Sequence, residues 1–115
     1  MKEDCIFCKI ISKSIPSTIV YEDDAVMAFN DINPQAPIHA VVIPKKHIER
    51  ISDLGPEDSK LISKVISAGN KIAKEKKIAD SGYRFVINCN KDAGQAVFHI
   101  HMHVIGGRRM GWPPG

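Results

Sequence analysis

The sequence predicts an α+β fold: a five-stranded antiparallel sheet with one long helix laid against it and a short helix near the N-terminus. Three observations carry this. Five β-prone runs are spread along 115 residues; one stretch after Pro56 repeats apolar residues at helical spacing; and Pro, Gly or acidic turns punctuate the connections. No internal repeat, linker or low-complexity segment interrupts the pattern, so residues 1–115 are expected to form one domain.

The elements follow in order. Ile6, Phe7, Ile10 and Ile11 have helical spacing, in a segment that Pro16 would close. Residues 18–21 and 25–29 flank Glu22-Asp23-Asp24, which reads as a hairpin with a short acidic turn. Asn33-Pro34-Gln35-Ala36-Pro37 is a loop, and a third strand runs over 38–43, with Pro44 at its end. After Lys45-Lys46-His47 a helical turn leads to the long helix. Pro56 suits its first position, Glu57 and Asp58 suit its positive end, and Leu61, Ile62, Val65, Ile66, Gly69, Ile72 and Ala73 mark one face. Residues 83–89 read as the fourth strand, with Cys89 in or beside it, and a polar loop leads to the fifth.

That last strand carries His99-Ile100-His101-Met102-His103-Val104. On a regular strand alternate side chains share a face, which would align the three imidazoles and set Phe98, Ile100, Met102 and Val104 behind them. Such a row is open to three readings: a metal-binding tract, an exposed polar face, or a catalytic group. Four residues span about 13 Å at roughly 3.3 Å each, whereas zinc ligands lie about 2 Å from the ion. A single ion does not hold all three from a regular strand, and a division of labour fits better.

The chain has 43% hydrophobic and 25% charged residues, as ordinary globular proteins do. A formal charge of +3 suits an anionic ligand such as a nucleotide. The lysines are scattered, with Lys74, Lys76 and Lys77 at a helix end, so no nucleic-acid partner is expected. Met1-Lys2-Glu3-Asp4 leads into no apolar run of export or membrane-spanning length. No membrane partner is expected, and the expected location is cytoplasmic, or also nuclear in a eukaryote. Three cysteines without an export signal argue against a disulfide framework. Cys5 and Cys8 form a Cys-x-x-Cys pair, which is a redox motif, half a zinc site or two small buried residues.

The triad followed by two apolar residues resembles the signature of the histidine triad (HIT) superfamily. The likeness continues through Ile6-Phe7-Cys8-Lys9-Ile10, Phe29-Asn30-Asp31-Ile32-Asn33-Pro34-Gln35-Ala36-Pro37, His39-Ala40-Val41-Val42-Ile43-Pro44-Lys45-Lys46-His47 and Gly94-Gln95. The ending, from Gly106-Gly107 to Trp112-Pro113-Pro114-Gly115, resembles the Hint branch. The resemblance implies a homodimer whose two sheets join into one of ten strands. It also implies hydrolysis of purine nucleoside 5′-phosphoramidates through a nucleotidyl-histidine intermediate. By that pattern His101 is the nucleophile, and His39 and His103 support it. Asp31 accepts ribose hydroxyls, and Asn88 and Gln95 contact phosphate or ribose. Ile6, Phe7, Ile10, Phe29 and Ile32 surround the base, a set that would otherwise read as plain core. Trp112 reaches the other subunit's site.

The same resemblance assigns Cys5, Cys8, His47 and His99 to a structural zinc, with no catalytic metal. Three positions depart from the pattern: Ala96 where serine is frequent, Asn30 where histidine is common, and Gly111 where a bulkier residue precedes the tryptophan. Alternatives to the phosphoramidase are a dinucleoside polyphosphate hydrolase of the Fhit-like branch, a metal-dependent hydrolase, and a nucleotide-binding or scaffold protein.

Overall fold

Cys5 starts the first helix, α1 (Ile6–Ile11), by accepting the Cys8 backbone N–H on its Sγ at 3.4 Å. The helix ends well before Pro16. Ser12 caps it and Lys13 takes a left-handed conformation (φ 63°), which turns the chain away. The hairpin forms as expected, β1 (Ile19–Glu22) against β2 (Val26–Asn30). Its turn is built by one carboxylate: Asp23 Oδ1 accepts the N–H groups of Ala25 and Val26, both at 2.8 Å.

β3 (Ile38–Pro44), β4 (Tyr83–Ile87) and β5 (Met102–Gly106) complete an antiparallel sheet of order β1-β2-β3-β5-β4. Residues 2–115 are described by this computed structural model. Between β3 and β4 lies the long helix, α2 (Ser59–Glu75). Pro56 opens a 3-10 turn and not the α-helix itself, and an earlier 3-10 turn covers Ile51–Asp53. Asp58 ties this entry down by accepting the Gly55 N–H at 3.0 Å and Lys46 Nζ at 3.2 Å.

Strand alternation then sorts the core onto two faces. Val26, Ala28, Ala40, Val42, Met102 and Val104 meet Val65, Ala68 and Ile72 of α2. Met27, Phe29, Val41 and Ile43 meet Phe7, Ile10 and Ile11 of α1 on the other face. α1 is short, so that second face is only partly covered. His39 lies on it, two positions before Val41, and Val41 pairs with His103 across β3 and β5. The partly covered face therefore carries two imidazoles.

The structure corrects three expectations. β5 starts only at Met102, so His99, Ile100 and His101 precede the regular strand, although the rings of His99 and His101 still meet Phe7 on the α1 side and His101 still meets His103. Phe98 is exposed and is not packed behind the histidines. β4 ends at Ile87, leaving Asn88 and Cys89 half-buried just beyond it. The first correction has a physical cause: Ile100 N–H donates to Ile48 O at 2.8 Å, a loop contact in place of a sheet rung.

Candidate active site and metal centre

His101 is buried, and its Nδ1 lies 2.8 Å from the carbonyl oxygen of His99. A carbonyl only accepts, so Nδ1 carries a proton, and in the neutral ring the lone pair is on Nε2. Phe7 stands edge-on to this ring, centroids 5.0 Å apart, and also meets His99 and Phe29 at 5.9 and 5.5 Å. The imidazole is thus held by its backbone bond and by an aromatic wall.

His103, on β5, faces His101 with ring centroids 5.3 Å apart. Its Nδ1 lies 2.8 Å from His39 Nε2. The direction of that bond follows from the far side of His39, whose Nδ1 accepts the Gln35 backbone N–H at 3.0 Å. His39 therefore holds its proton on Nε2 and donates it to His103 Nδ1. His103 in turn holds its own proton on Nε2. Burial, with His101 and His39 nearby, lowers the His103 pKa and favours this neutral form.

Asp31 stands beside the pair. Its Oδ2 is 3.4 Å from His39 Nε2 and 3.9 Å from His103 Nδ1, while Oδ1 accepts the Asn33 N–H at 2.8 Å. A carboxylate offers about four acceptor positions, so capacity remains for a ligand. An open cleft of about 460 Å³ adjoins it, lined by Pro16, Ser17, Thr18, Asn30, Asp31 and Ile32.

Of the apolar set, Phe7, Ile10 and Phe29 belong to the buried cluster on the α1 face of the sheet. Ile32 is fully exposed at 101% and Ile6 is 48% exposed, so neither is core. Trp112 is 83% exposed on a tail that Arg84 holds through a 3.0 Å bond to Gly111 O. Ala96 is exposed and lines a cavity of about 310 Å³ with Cys5, His47 and Phe98.

Gln95 makes its side-chain hydrogen bonds to backbone groups: Oε1 accepts the Asn90 N–H, and Nε2 donates to Glu49 O and Val97 O, at 2.8, 2.8 and 3.2 Å. Gln95 is buried and ties three loop segments together.

The other cluster lies behind His101. Cys5 Sγ and Cys8 Sγ are 3.5 and 3.7 Å from His99 Nδ1, and His47 Nδ1 is 3.4 Å from Cys8 Sγ and 3.1 Å from His99 Nδ1. All four ligand atoms lie within 4.8 Å of one another. His99 Nε2–H donates to Pro44 O at 2.7 Å, which leaves the Nδ1 lone pair facing the cluster. Burial raises the Cys5 pKa and pulls that of His99 down to about 4, so without a cation both of these groups favour their neutral forms. Two thiols and two imidazoles suit tetrahedral zinc, whose ligands would sit about 3.3–3.8 Å from one another at ordinary bond lengths. The donor set and spacings fit a metal.

Sequence reading missed the backbone partners. The Gln35 N–H, Pro44 O and His99 O set three tautomers, and no residue type signals a backbone group. Arg50 was missed as well: it bonds Asn90 Oδ1 at 2.8 Å and lies over Phe98, bracing the loop that Gln95 ties.

Imidazoles from β3 and β5 thus meet on one face of the antiparallel sheet. The HIT domain family matches residues 12–110, and the chain belongs to that family. It is 48% identical to the purine nucleoside phosphoramidase of Escherichia coli K12 over 111 residues, 96% of this chain and 93% of that protein. It is also 48% identical to an uncharacterized HIT-like protein of Synechocystis over the full length of both. Among solved structures, a HIT family hydrolase from Legionella pneumophila superposes with a TM-score of 0.96 at 48% identity, covering 97% of this chain and 100% of that one. A histidine triad protein from Clostridium difficile gives 0.93 at 47%, covering 96% of each.

Proposed function

We propose that this protein hydrolyses purine nucleoside 5′-phosphoramidates, with His101 as nucleophile. The observation that carries the reading is the Nδ1–H of His101 on the His99 carbonyl, which places the lone pair of the neutral ring on Nε2, the atom that attacks. Attack on the α-phosphorus forms an Nε2–P bond and breaks the P–N bond to the amine, which departs with a proton drawn from solvent. The adduct is cationic, and the carbonyl still accepting from Nδ1–H stabilises it. Water then attacks phosphorus, releases the nucleoside monophosphate and returns a proton to solvent. Because the bond made resembles the bond broken, neither step is steep.

His103 Nε2–H serves as a donor to a phosphoryl oxygen, and His39 holds it in that tautomer. Asp31 accepts ribose hydroxyls beside the open cleft, Asn88 contacts phosphate or ribose, and Ile6, Phe7, Ile10, Phe29 and Ile32 border the base. Gln95 supports the phosphate-side loop through its three backbone bonds.

Zinc on Cys5, Cys8, His47 and His99 fits the donor set. Four protein ligands close its shell, so the ion supplies structure and no Lewis acid for the substrate. The chain acts as a homodimer: β4 is a sheet edge open to a second copy, which would continue the sheet to ten strands, and exposed Trp112 would find cover on it. Three free cysteines suit a reducing, cytoplasmic setting, and no helix among the described residues is long and apolar enough to cross a membrane.

The test is turnover of an adenosine phosphoramidate and of a dinucleoside polyphosphate, with and without brief EDTA treatment, beside a His101→Ala variant. We expect fast cleavage of the phosphoramidate alone, little effect of chelator, and an inactive variant. Preferred cleavage of the polyphosphate would move the chain to the other enzyme class, and no turnover of either would favour a binding protein. Metal analysis is expected to find one zinc per chain, and less in Cys5→Ser.

A further inference from the structure

The tautomer of His39 rests on one backbone amide, that of Gln35, and the loop bearing it is held from outside by a residue with no role so far. Arg108 follows β5 and donates from Nε to Gln35 O at 3.1 Å, while its Nη1 donates to Arg109 O at 3.1 Å. Gln35 is further braced by Nε2 on Asn33 O at 3.0 Å, and Asn33 N–H bonds Asp31. Beside Arg108 the backbone comes close to the same loop. A Cβ at Gly107, where φ is +90°, would lie 3.0 Å from Pro37 Cβ. The segment after β5 and the loop between β2 and β3 are thus joined at Gly107 and Arg108.

We propose that Arg108 is a positioning residue for the reaction, acting through Gln35 on the proton arrangement of His39 and His103. The Gln35 carbonyl held by Arg108 and the Gln35 N–H aimed at His39 Nδ1 belong to the two peptide planes flanking one residue, so fixing the first restricts the second. With the N–H in place, His39 must accept on Nδ1 and donate from Nε2, and His103 must present Nε2–H. If the peptide turns away, His39 can carry its proton on Nδ1. Its Nε2 lone pair would then face His103 Nδ1, which must take a proton, and His103 Nε2 becomes an acceptor. A phosphoryl oxygen would then meet a lone pair in place of a donor. Arginine suits the task because its fork bonds Gln35 O and the tail together and never loses its charge.

This rests on the reading of His103 as a phosphate-side donor, and the experiment separates the two. Arg108→Ala, Arg108→Lys and His103→Ala are compared with the wild type in phosphoramidate turnover, thermal unfolding and ¹⁵N NMR of the histidine rings. In Arg108→Ala we expect kcat about fivefold lower, the loss one partly exposed hydrogen bond can cause. KM should stay within about twofold, the melting midpoint should hold, and the His39 signal should move from a pure Nε2–H tautomer to a mixture. Arg108→Lys, which keeps one donor, should recover most of the rate. An unchanged His39 tautomer in Arg108→Ala overturns the proposal, whether or not the rate falls, and so does a rate loss matched by a lower melting midpoint. A His103→Ala variant with full activity would instead overturn the reading of His103.

Discussion

The three triad histidines are chemically distinct because each has a different fixed partner. His99 gives Nε2–H to Pro44 O and turns Nδ1 to the thiols; His101 gives Nδ1–H to His99 O; His103 accepts on Nδ1 from His39. His99 serves both centres, ring to the cysteines and carbonyl to His101. The residue pattern showed three imidazoles, yet their partners are backbone carbonyls and a neighbouring ring, which carry no sequence signature. Gln95 makes the same point at a polar side chain. Replacing it by Leu leaves the Asn90 N–H and the Glu49 and Val97 carbonyls without their partner, at about 1–3 kcal/mol for each group that stays dry. We expect Gln95→Leu to lower the urea midpoint and the turnover rate together. Loss of substrate affinity at full stability would instead make Gln95 a direct ligand contact.

At the scale of elements, the hairpin, α2 and the five strands were legible because side-chain alternation and helical spacing record which face is buried. The start of β5 was not legible. The alternation continues through His99 and Ile100, but the Ile100 N–H is taken by Ile48 and the ring of His99 by the cysteine cluster. Likewise, Pro16 marked a helix end that Lys13 had already made. Close packing sets a further test at Gly69, where α2 crosses the sheet. An added Cβ would lie 2.7 Å from Met102 Cε and 2.8 Å from Phe85 Cζ. Alanine gains about 1 kcal/mol of helix propensity, against an overpacking cost of about 1–3 kcal/mol. Met102 is fully buried and has little room to yield, so we expect Gly69→Ala to destabilise by about 1 kcal/mol in denaturant unfolding.

For the whole molecule, the buried histidines set how stability depends on pH. In the chelator-treated protein, burial holds His99 at about 4 against an ordinary 6.5, and His103 also lies below its ordinary value. The unfolded chain therefore binds protons that the folded chain refuses, and stability rises with pH through that window. Unfolding midpoints of the metal-free protein should fall as pH drops from 6.5 toward 4 and level off above 6.5. The partly covered sheet face, with Asp31 and two imidazoles beside an open cleft, is where all of this chemistry converges. The decisive measurement is where the nucleotide goes. The enzyme is mixed with adenosine 5′-phosphoramidate, quenched in alkali within milliseconds, digested and mapped by mass spectrometry. Adenylate on His101, absent from His101→Ala, is the predicted result; adenylate on another residue, or full turnover by His101→Ala, would contradict it.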